Sequence, residues 1–242
     1  MNPKFDESLL GISDGRLYSS ADMVRVGCHD CAGCSDCCQG MGDTILLDPY
    51  DMNRLTKGLG RSFEELLQGP VELHLEEGLI LPNLRMVSWT DKLGADEGRD
   101  AEEQTLTTPQ TAEEACYFLN LQGRCSIHPL RPGFCRLFPL GRSYQEDNLS
   151  YFLLANECPV QNKTKMKLEK WLDQPKLRDY QAFLVLWHKV TGAMREEVTR
   201  DPEAVEANRR TSLTFLQYFY AKPYGEEFFP EFKERVLALG IR

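Results

Sequence analysis

The spacing of apolar residues changes along the chain, and the change marks two kinds of structure. From Val71 to Glu76 apolar and polar residues alternate, which predicts a half-buried strand. Beyond Pro159 apolar residues recur every third or fourth position, which is typical of amphipathic helices. The clearest helical stripe comprises Leu177, Tyr180, Leu184, Trp187, Val190 and Met194. We interpret its aromatic members as part of a core face, because apolar stripes on helices are ordinarily buried.

Start and stop signals place further elements between these regions. Asp48-Pro49 supplies an N-cap and a proline at the first helical position, so a helix is predicted from there to about Lys57, ending at Gly58. Ser62-Phe-Glu-Glu65 is a capping box for a second short helix. A hairpin is predicted from Cys116 to Ile127, and an apolar strand from Leu149 to Leu154.

Composition changes this picture in two places. Residues 91–114 are rich in acidic residues and almost lack apolar ones, so we predict a mobile insertion there, because such a segment cannot offset the entropy of ordering. The net charge of −9 argues against nucleic acid and anionic membranes as partners. The N-terminal residues show no leader pattern and no apolar run reaches the length of a membrane span, so a cytoplasmic protein is predicted.

Cysteine is the most informative residue type. Five of the nine cysteines lie within residues 28–38, and the others follow after a long gap. In a reducing cytosol, closely spaced cysteines are more often metal ligands or redox groups than disulfides. The cysteines are Cys28, Cys31, Cys34, Cys37, Cys38, Cys116, Cys125, Cys135 and Cys158. We therefore expect the two groups to meet in the fold and bind a metal or an iron–sulfur cluster.

The spacing bears on which metal is bound. The first four cysteines recur every third residue, and the C-x2-C-x2-C run with a remote Cys158-Pro159 matches the ligand spacing of bacterial ferredoxin clusters. All-cysteine zinc sites more often show two separate C-x2-C pairs. The spacing thus favours an iron–sulfur cluster, most simply 4Fe–4S, with zinc as the alternative. Adjacent side chains diverge, so Cys37 and Cys38 suit two metals or two neighbouring sites; one site and two sites both stay open.

Charged neighbours of the cysteines are the next candidates. Four thiolates around either metal centre leave a negative charge that nearby donors must balance. Arg131 and Arg136 lie close to Cys135 in the sequence and are candidates for that role. His29 and His128 also lie near cysteines, but an ordinary hydrogen-bonded histidine is the simpler interpretation of each. The chain carries no nucleotide-binding glycine loop and no serine elbow.

These observations predict an α+β fold, with a small cysteine-rich metal-binding core of short strands and loops followed by a C-terminal helical region. The predicted domains are an N-terminal arm at 1–27, a cysteine-cluster domain at 28–160, and a helical region at 161–242 packed on it. Whether the protein is an enzyme, and its oligomeric state, are left open by the sequence.

The motifs resemble a known family. Cys31-Ala-Gly-Cys-Ser-Asp-Cys-Cys38 is similar to the CxxCxxCC signature of the YkgJ-like cysteine-cluster proteins, described as zinc- or iron-chelating. The downstream segments Cys116-Tyr-Phe-Leu, Gly123-Arg-Cys-Ser-Ile and Arg131-Pro-Gly-Phe-Cys-Arg-Leu-Phe-Pro139 are similar to the same family's later motifs. The resemblance implies that every cysteine except Cys28 belongs to the family set. It makes Cys28 the least certain ligand.

The resemblance also extends to function. The family includes flagellin lysine-N-methylases, so it implies an iron–sulfur redox or protein-modifying enzyme that acts on a protein substrate. The alternative is a non-enzymatic binding module that zinc stabilises. We expect Cys34→Ser to cost more bound metal than Cys28→Ser.

Overall fold

The computed structural model describes residues 11–28, 34–94, 106–145 and 147–240. Within these ranges the strands are β1 (Met23–Gly27), β2 (Val71–Glu76), β3 (Leu79–Leu84), β4 (Met86–Ser88), β5 (Glu114–Cys116), β6 (Leu140–Gln145), β7 (Asn148–Leu153) and β8 (Thr164–Lys167). The α-helices are α1 (Pro49–Leu59), α2 (Phe63–Leu67), α3 (Trp89–Gly94), α4 (Gly133–Leu137), α5 (Leu168–Leu172), α6 (Leu177–Thr199), α7 (Val205–Leu216) and α8 (Phe228–Ala238). The fold is α+β with a C-terminal helical region, as the sequence predicts.

The strands form antiparallel pairs. They join β1 to β8, β2 to β3, β4 to β5 and β6 to β7. No helix in the described ranges is both long enough and apolar enough to cross a bilayer.

The chain divides into two contact units. The first unit draws on Met1–Asp30, Arg136–Met194 and Tyr224–Arg242, and the second on Cys31–Cys135 and Arg195–Pro223. The predicted domains at 1–27, 28–160 and 161–242 stay a prediction.

The first unit has an aliphatic layer and an aromatic layer. The aliphatic layer lies between the β1–β8 and β6–β7 pairs and buries Val24, Val26, Leu140, Tyr151 and Leu168. The aromatic layer lies where α6 meets α8, and the Phe183 and Phe232 rings pack edge to face there with centroids 4.7 Å apart. The helical stripe of α6 is thus confirmed as a core face, with Tyr180 and Leu184 buried. The sequence did not predict β1.

The second unit is assembled around α1. Tyr220 donates a hydrogen bond from its hydroxyl to the carbonyl oxygen of Leu47 at 2.9 Å, and its ring stacks on Phe63 of α2. This contact attaches the segment after α7 to the start of α1. Its buried apolar residues include Leu47, Leu55, Leu66 and Phe219.

Helix α1 confirms the predicted start and corrects the predicted end. Asp48 is the N-cap, Pro49 opens the helix, and a full capping box is present. The helix does not stop at Gly58 but continues to Leu59, and the left-handed residue is Gly60, with φ of 63°. Gly58 serves close packing instead, because a Cβ there would overlap the Leu130 side chain.

The apolar face of strand β2 differs from the prediction. Strand β2 forms and Val71 is buried, but Leu73 and Leu75 are 43% and 64% exposed. The polar face of β2 is the more covered one because its side chains are engaged in ion pairs, such as Glu72 with Arg85.

Candidate metal centre

One isolated bridge joins the two cysteine groups of the second unit. Gln39 pairs with Ala115 in an antiparallel bridge, and the Gly40 N–H donates to the Glu114 carbonyl oxygen at 3.0 Å. Gln39 follows Cys38 directly, and Ala115 precedes Cys116 directly. The backbone therefore brings these two cysteines to neighbouring positions, although 77 residues separate them in the chain.

The Gln39 side chain reinforces this bridge. Its Nε2 donates to the Ser35 hydroxyl at 2.9 Å and to the Pro109 carbonyl oxygen at 3.0 Å. Its Oε1 accepts from the Thr111 N–H at 2.9 Å. Gln39 is 6% exposed, so its amide is satisfied by protein groups inside the unit. Gln39 thus attaches the first cysteine run to residues 109–111.

Residues 109–111 belong to the predicted mobile insertion at 91–114, of which residues 95–105 lie outside the described ranges.

Cys116 and Cys125 are held at the two ends of a short hairpin. Leu119 forms a bridge with Cys125, and the Ser126 N–H donates to the Phe118 carbonyl oxygen at 2.8 Å. The turn depends on Gly123, whose φ is 75° and where a Cβ would collide with Thr108. The predicted hairpin is present, but its pairing is limited to one isolated bridge and a few backbone hydrogen bonds.

Cys135 lies in helix α4, and the start of that helix is fixed by a buried acid. The Gly133 N–H donates to Asp51 Oδ1 at 2.7 Å. Asp51 is 2% exposed and is also the third residue of α1, where its carboxylate accepts from the Asp48 N–H. One carboxylate therefore completes the α1 capping box and positions the segment that carries Cys135.

The loop before α4 is also held on α1. Arg54 donates to the carbonyl oxygens of Pro129 at 2.7 Å and of Arg131 at 3.3 Å. Leu130 packs against Gly58. Helix α1 is therefore the platform that carries the Cys135 loop.

The thiols of the second unit are close enough to influence one another electrostatically. Cys37, Cys116 and Cys135 each raise the pKa of the Cys38 thiol. Cys116, Cys37 and Cys125 each raise the pKa of the Cys135 thiol. Five cysteines from two distant parts of the chain thus form one electrostatic cluster, which we call the thiol cluster: Cys37, Cys38, Cys116, Cys125 and Cys135.

Cys37 and Cys38 behave as a pair. Their sulfurs share a hydrogen bond, which lowers the pKa of the Cys37 thiol, and the Arg131 guanidinium lowers that pKa further. The same hydrogen bond, together with burial, raises the pKa of the Cys38 thiol. The pair therefore loses its first proton more readily than an ordinary thiol and its second less readily.

Burial also raises the pKa of the other three thiols, for which it is the largest cause of the shift. It raises the pKa of Cys116 from 9.0 to about 11 and also raises the pKa of Cys125. It raises the pKa of Cys135 well above the ordinary value, and the neighbouring Cys116 thiol adds to the shift. Without a cation, a second negative charge in this cluster is unfavourable.

The two arginines lie in different surroundings. Arg131 is in the second unit, where its charge acts on Cys37 and Cys125 and its Nε donates to the His128 carbonyl oxygen at 3.3 Å. Arg136 belongs to the first unit, where it is buried near Tyr180. A charge-balancing role for either stays a prediction.

The remaining sequence candidates fall elsewhere. Cys31 and His29 lie outside the described residues, and Cys34 is partly buried in the second unit. Cys28 and Cys158 belong to the first unit. Cys28 is buried directly after β1, and the Cys158 carbonyl oxygen accepts from Lys163 Nζ at 2.8 Å. The N–H of His128 donates to the Cys125 carbonyl oxygen at 3.2 Å.

The donor set fits a soft metal. All five members of the thiol cluster are sulfur donors, which suit zinc and iron–sulfur clusters, and a cation would relieve the mutual repulsion of their thiolates. In the described part of the chain, no three His, Cys, Asp or Glu side chains meet at the spacing of ligands to one ion.

Two residues that organise this region, Asp51 and Gln39, were not predicted from the sequence. Asp51 carried a signal, because it stands at the third helical position after an Asp N-cap. Nothing in the local sequence indicated that its carboxylate also reaches Gly133. Gln39 carried no signal at all, since its partners come from residues about 70 positions away.

Comparisons with known proteins connect these motifs to one family. No curated protein and no solved structure matches the chain. A family profile matches residues 30–159, which include the CxxCxxCC run and the thiol cluster. The chain therefore belongs to the family described as "CxxCxxCC: Putative zinc- or iron-chelating domain".

Proposed function

We propose that the thiol cluster binds an iron–sulfur cluster and that the protein is a redox or protein-modifying enzyme. The single observation that carries this proposal is the Gln39–Ala115 bridge, which brings the first cysteine run next to Cys116 from a distant part of the chain. Metal chelation itself follows from the family. The choice of iron–sulfur over zinc is supported by the C-x2-C-x2-C spacing of the first cysteine run.

The proposed ligands in the second unit are drawn from the thiol cluster together with Cys31 and Cys34. This set exceeds the four thiolates that one cubane cluster needs, so some cysteines would serve a second metal or stay protonated. Cys38 and Cys135, whose thiols are the hardest to ionise, depend most on a cation for deprotonation. Ligand roles for Cys28 and Cys158 stay predictions.

The protein's own residues supply two functions around the metal. Arg131 balances thiolate charge near Cys37 and Cys125. Phe118, Leu119 and Ile127, all buried, limit the access of water. When bound, an iron–sulfur cluster supplies one-electron transfer, or an iron site for substrate if one iron lacks a thiolate.

The substrate proposed is a protein side chain. This follows the resemblance to lysine-N-methylases, and the net charge of −9 supports a cationic partner such as a lysine-bearing segment.

Metal analysis of anaerobically purified protein tests the iron–sulfur assignment. We expect a brown protein with iron and acid-labile sulfide in equal amounts, about four of each per chain. A colourless protein with stoichiometric zinc and no iron would contradict it.

The second candidate is a binding module in which zinc stabilises the fold without catalysis. All-thiolate donors suit zinc equally well, and the family description names zinc. Structural zinc contributes folding free energy directly, so a chelator should abolish the circular dichroism of the folded state. An unchanged spectrum after complete metal removal would exclude this structural role.

A further inference from the structure

Arg136 is a buried arginine whose two terminal nitrogens have no hydrogen-bond or ion-pair partner in the described residues. It is 6% exposed. Its Nη1 and Nη2 atoms are both inaccessible to solvent, and neither has a hydrogen-bond partner. A buried guanidinium without partners is strongly destabilising, because it has given up its hydration and received no anion in return.

The surroundings of Arg136 add positive charge. Its Cζ lies 5.6 Å from the centroid of the Tyr180 ring. Arg142 lies 5.9 Å from the same centroid, and its Nη2 donates to the Tyr180 hydroxyl at 3.0 Å. Two guanidinium groups thus share one buried tyrosine, which orients them through cation–π contacts.

The acidic residues described in the first unit do not neutralise Arg136. The ion pairs found there join other residues: Lys167 to Glu169, Lys176 to Glu227, Lys189 to Asp147 and Arg235 to Glu231. None of them includes Arg136. Its charge is therefore available to a group that is not part of the described chain.

We propose that Arg136, supported by Tyr180 and Arg142, binds an oxoanion, the carboxylate or phosphate group of a ligand. The free Nη1 and Nη2 atoms form the edge of the guanidinium that donates two parallel hydrogen bonds to two oxygens of one anionic group. Carboxylate and phosphate both offer this pair of oxygens. The site stands independently of the proposed metal centre.

The test measures thermal unfolding of the metal-loaded protein in chloride, acetate and inorganic phosphate at equal ionic strength. The variant is Arg136→Met, and the matched control is Arg178→Met, an exposed arginine on α6. We expect acetate or phosphate to raise the Tm of the wild type and of Arg178→Met above the chloride value. The anion that gives the larger rise identifies the ligand class.

In Arg136→Met we expect this rise to disappear and, by calorimetry, anion binding to weaken about 10- to 100-fold. In chloride alone the variant should melt a few degrees higher than the wild type, because a buried unmatched charge has been replaced by an apolar chain. A Tm rise that is equal in all three proteins would be a general salt effect and would overturn the proposal.

Metal content distinguishes the competing account, in which Arg136 balances thiolate charge. If Arg136→Met loses bound metal and the wild type shows no oxoanion dependence, the proposal is wrong. Arg136→Lys serves if the Met variant does not fold, because a lysine keeps the charge but cannot donate from two positions of a planar edge. An unchanged affinity for phosphate and acetate in Arg136→Lys would contradict the two-point contact.

Discussion

Aromatic side chains build the layer between α6 and α8 in the first unit, whereas thiols and hydrogen-bonded polar side chains organise the cysteine-bearing segments of the second. In the first, Phe183 and Phe232 pack ring against ring. In the second, the thiol cluster is surrounded by short elements that Asp51, Gln39 and Arg54 connect through hydrogen bonds. An aromatic core is stabilised by apolar burial alone, whereas a region of short elements that carries thiol ligands gains folding free energy from a bound metal. The difference predicts separate responses to metal loss and to core mutation.

Metal removal should give the largest effect. Structural zinc sites in small domains contribute about 10–16 kcal/mol, and a thiol-bound cluster should matter comparably here. After chelation we expect amide hydrogens of residues 115–127 to lose protection in hydrogen exchange, while those of residues 183–190 in α6 stay protected. Equal loss in both segments would remove the distinction between the units.

Truncating a side chain of the aromatic layer should lower stability without changing the metal content. Phe232 is 1% exposed, and Phe232→Ala should lower the free energy of unfolding by about 3–5 kcal/mol, because the lost ring leaves a cavity. Metal content of the folded fraction should not change. Leu237→Ala on the same helix is the control, since Leu237 is 56% exposed and should cost little. Metal loss in the Phe232 variant would show that the metal depends on this layer.

Removing the carboxylate of Asp51 should act on the thiol cluster through Cys135. Asp51→Ala deletes the capping interaction of α1 and the acceptor of the Gly133 N–H, so we expect a cost of about 2–4 kcal/mol and reduced metal content. Glu65→Ala is the matched control, because Glu65 occupies the same capping-box position in α2 and is exposed there. It should cost about 0.5–1 kcal/mol with full metal content. Similar metal loss in both variants would contradict the special role of Asp51.

The pH dependence of metal binding should be smaller but diagnostic. Since burial raises the pKa of Cys116 to about 11, its thiol is protonated at neutral pH and must lose that proton to solvent when it binds a metal. The apparent affinity should therefore rise with pH, roughly tenfold per pH unit for each proton released. Competition with a chromophoric chelator at pH 7 and pH 8 measures the slope. A flat profile would mean that the ligands are already thiolates.

The stability of the metal-free protein should change with pH in the opposite direction and fall as the pH rises. The folded-state pKa of Cys116 lies above its ordinary 9.0, so this group stabilises the metal-free fold below pH 9, and that contribution is lost between pH 9 and about 11. Denaturant unfolding of metal-free Cys116→Ser should lack this loss.

The sequence predicted the local features of the molecule well. The Asp48-Pro49 start of α1, the capping box at Ser62 and the helical stripe of α6 depend on residues at most four positions apart, so their patterns are visible in the chain. The CxxCxxCC run also identified the family. The cysteine motif alone therefore indicates the metal-binding region, without any knowledge of tertiary contacts.

The sequence could not predict contacts between distant segments. The Gln39–Ala115 bridge and the Asp51–Gly133 hydrogen bond depend on tertiary packing. The exposure of Leu73 and Leu75 also escaped prediction, because alternation marks two faces of a strand without saying which one is covered. Arg136 was grouped with Arg131 on sequence proximity, whereas the structure buries it near Tyr180.

The metal content of two cysteine variants tests the central claim most directly. Cys116 and Cys28 are both 5% exposed, so a serine at either position buries a comparable hydroxyl, but only Cys116 belongs to the thiol cluster. In anaerobically purified protein we predict that Cys116→Ser loses most of its bound metal, while Cys28→Ser keeps it. Equal metal content in the two variants would contradict the assignment of the metal to the thiol cluster.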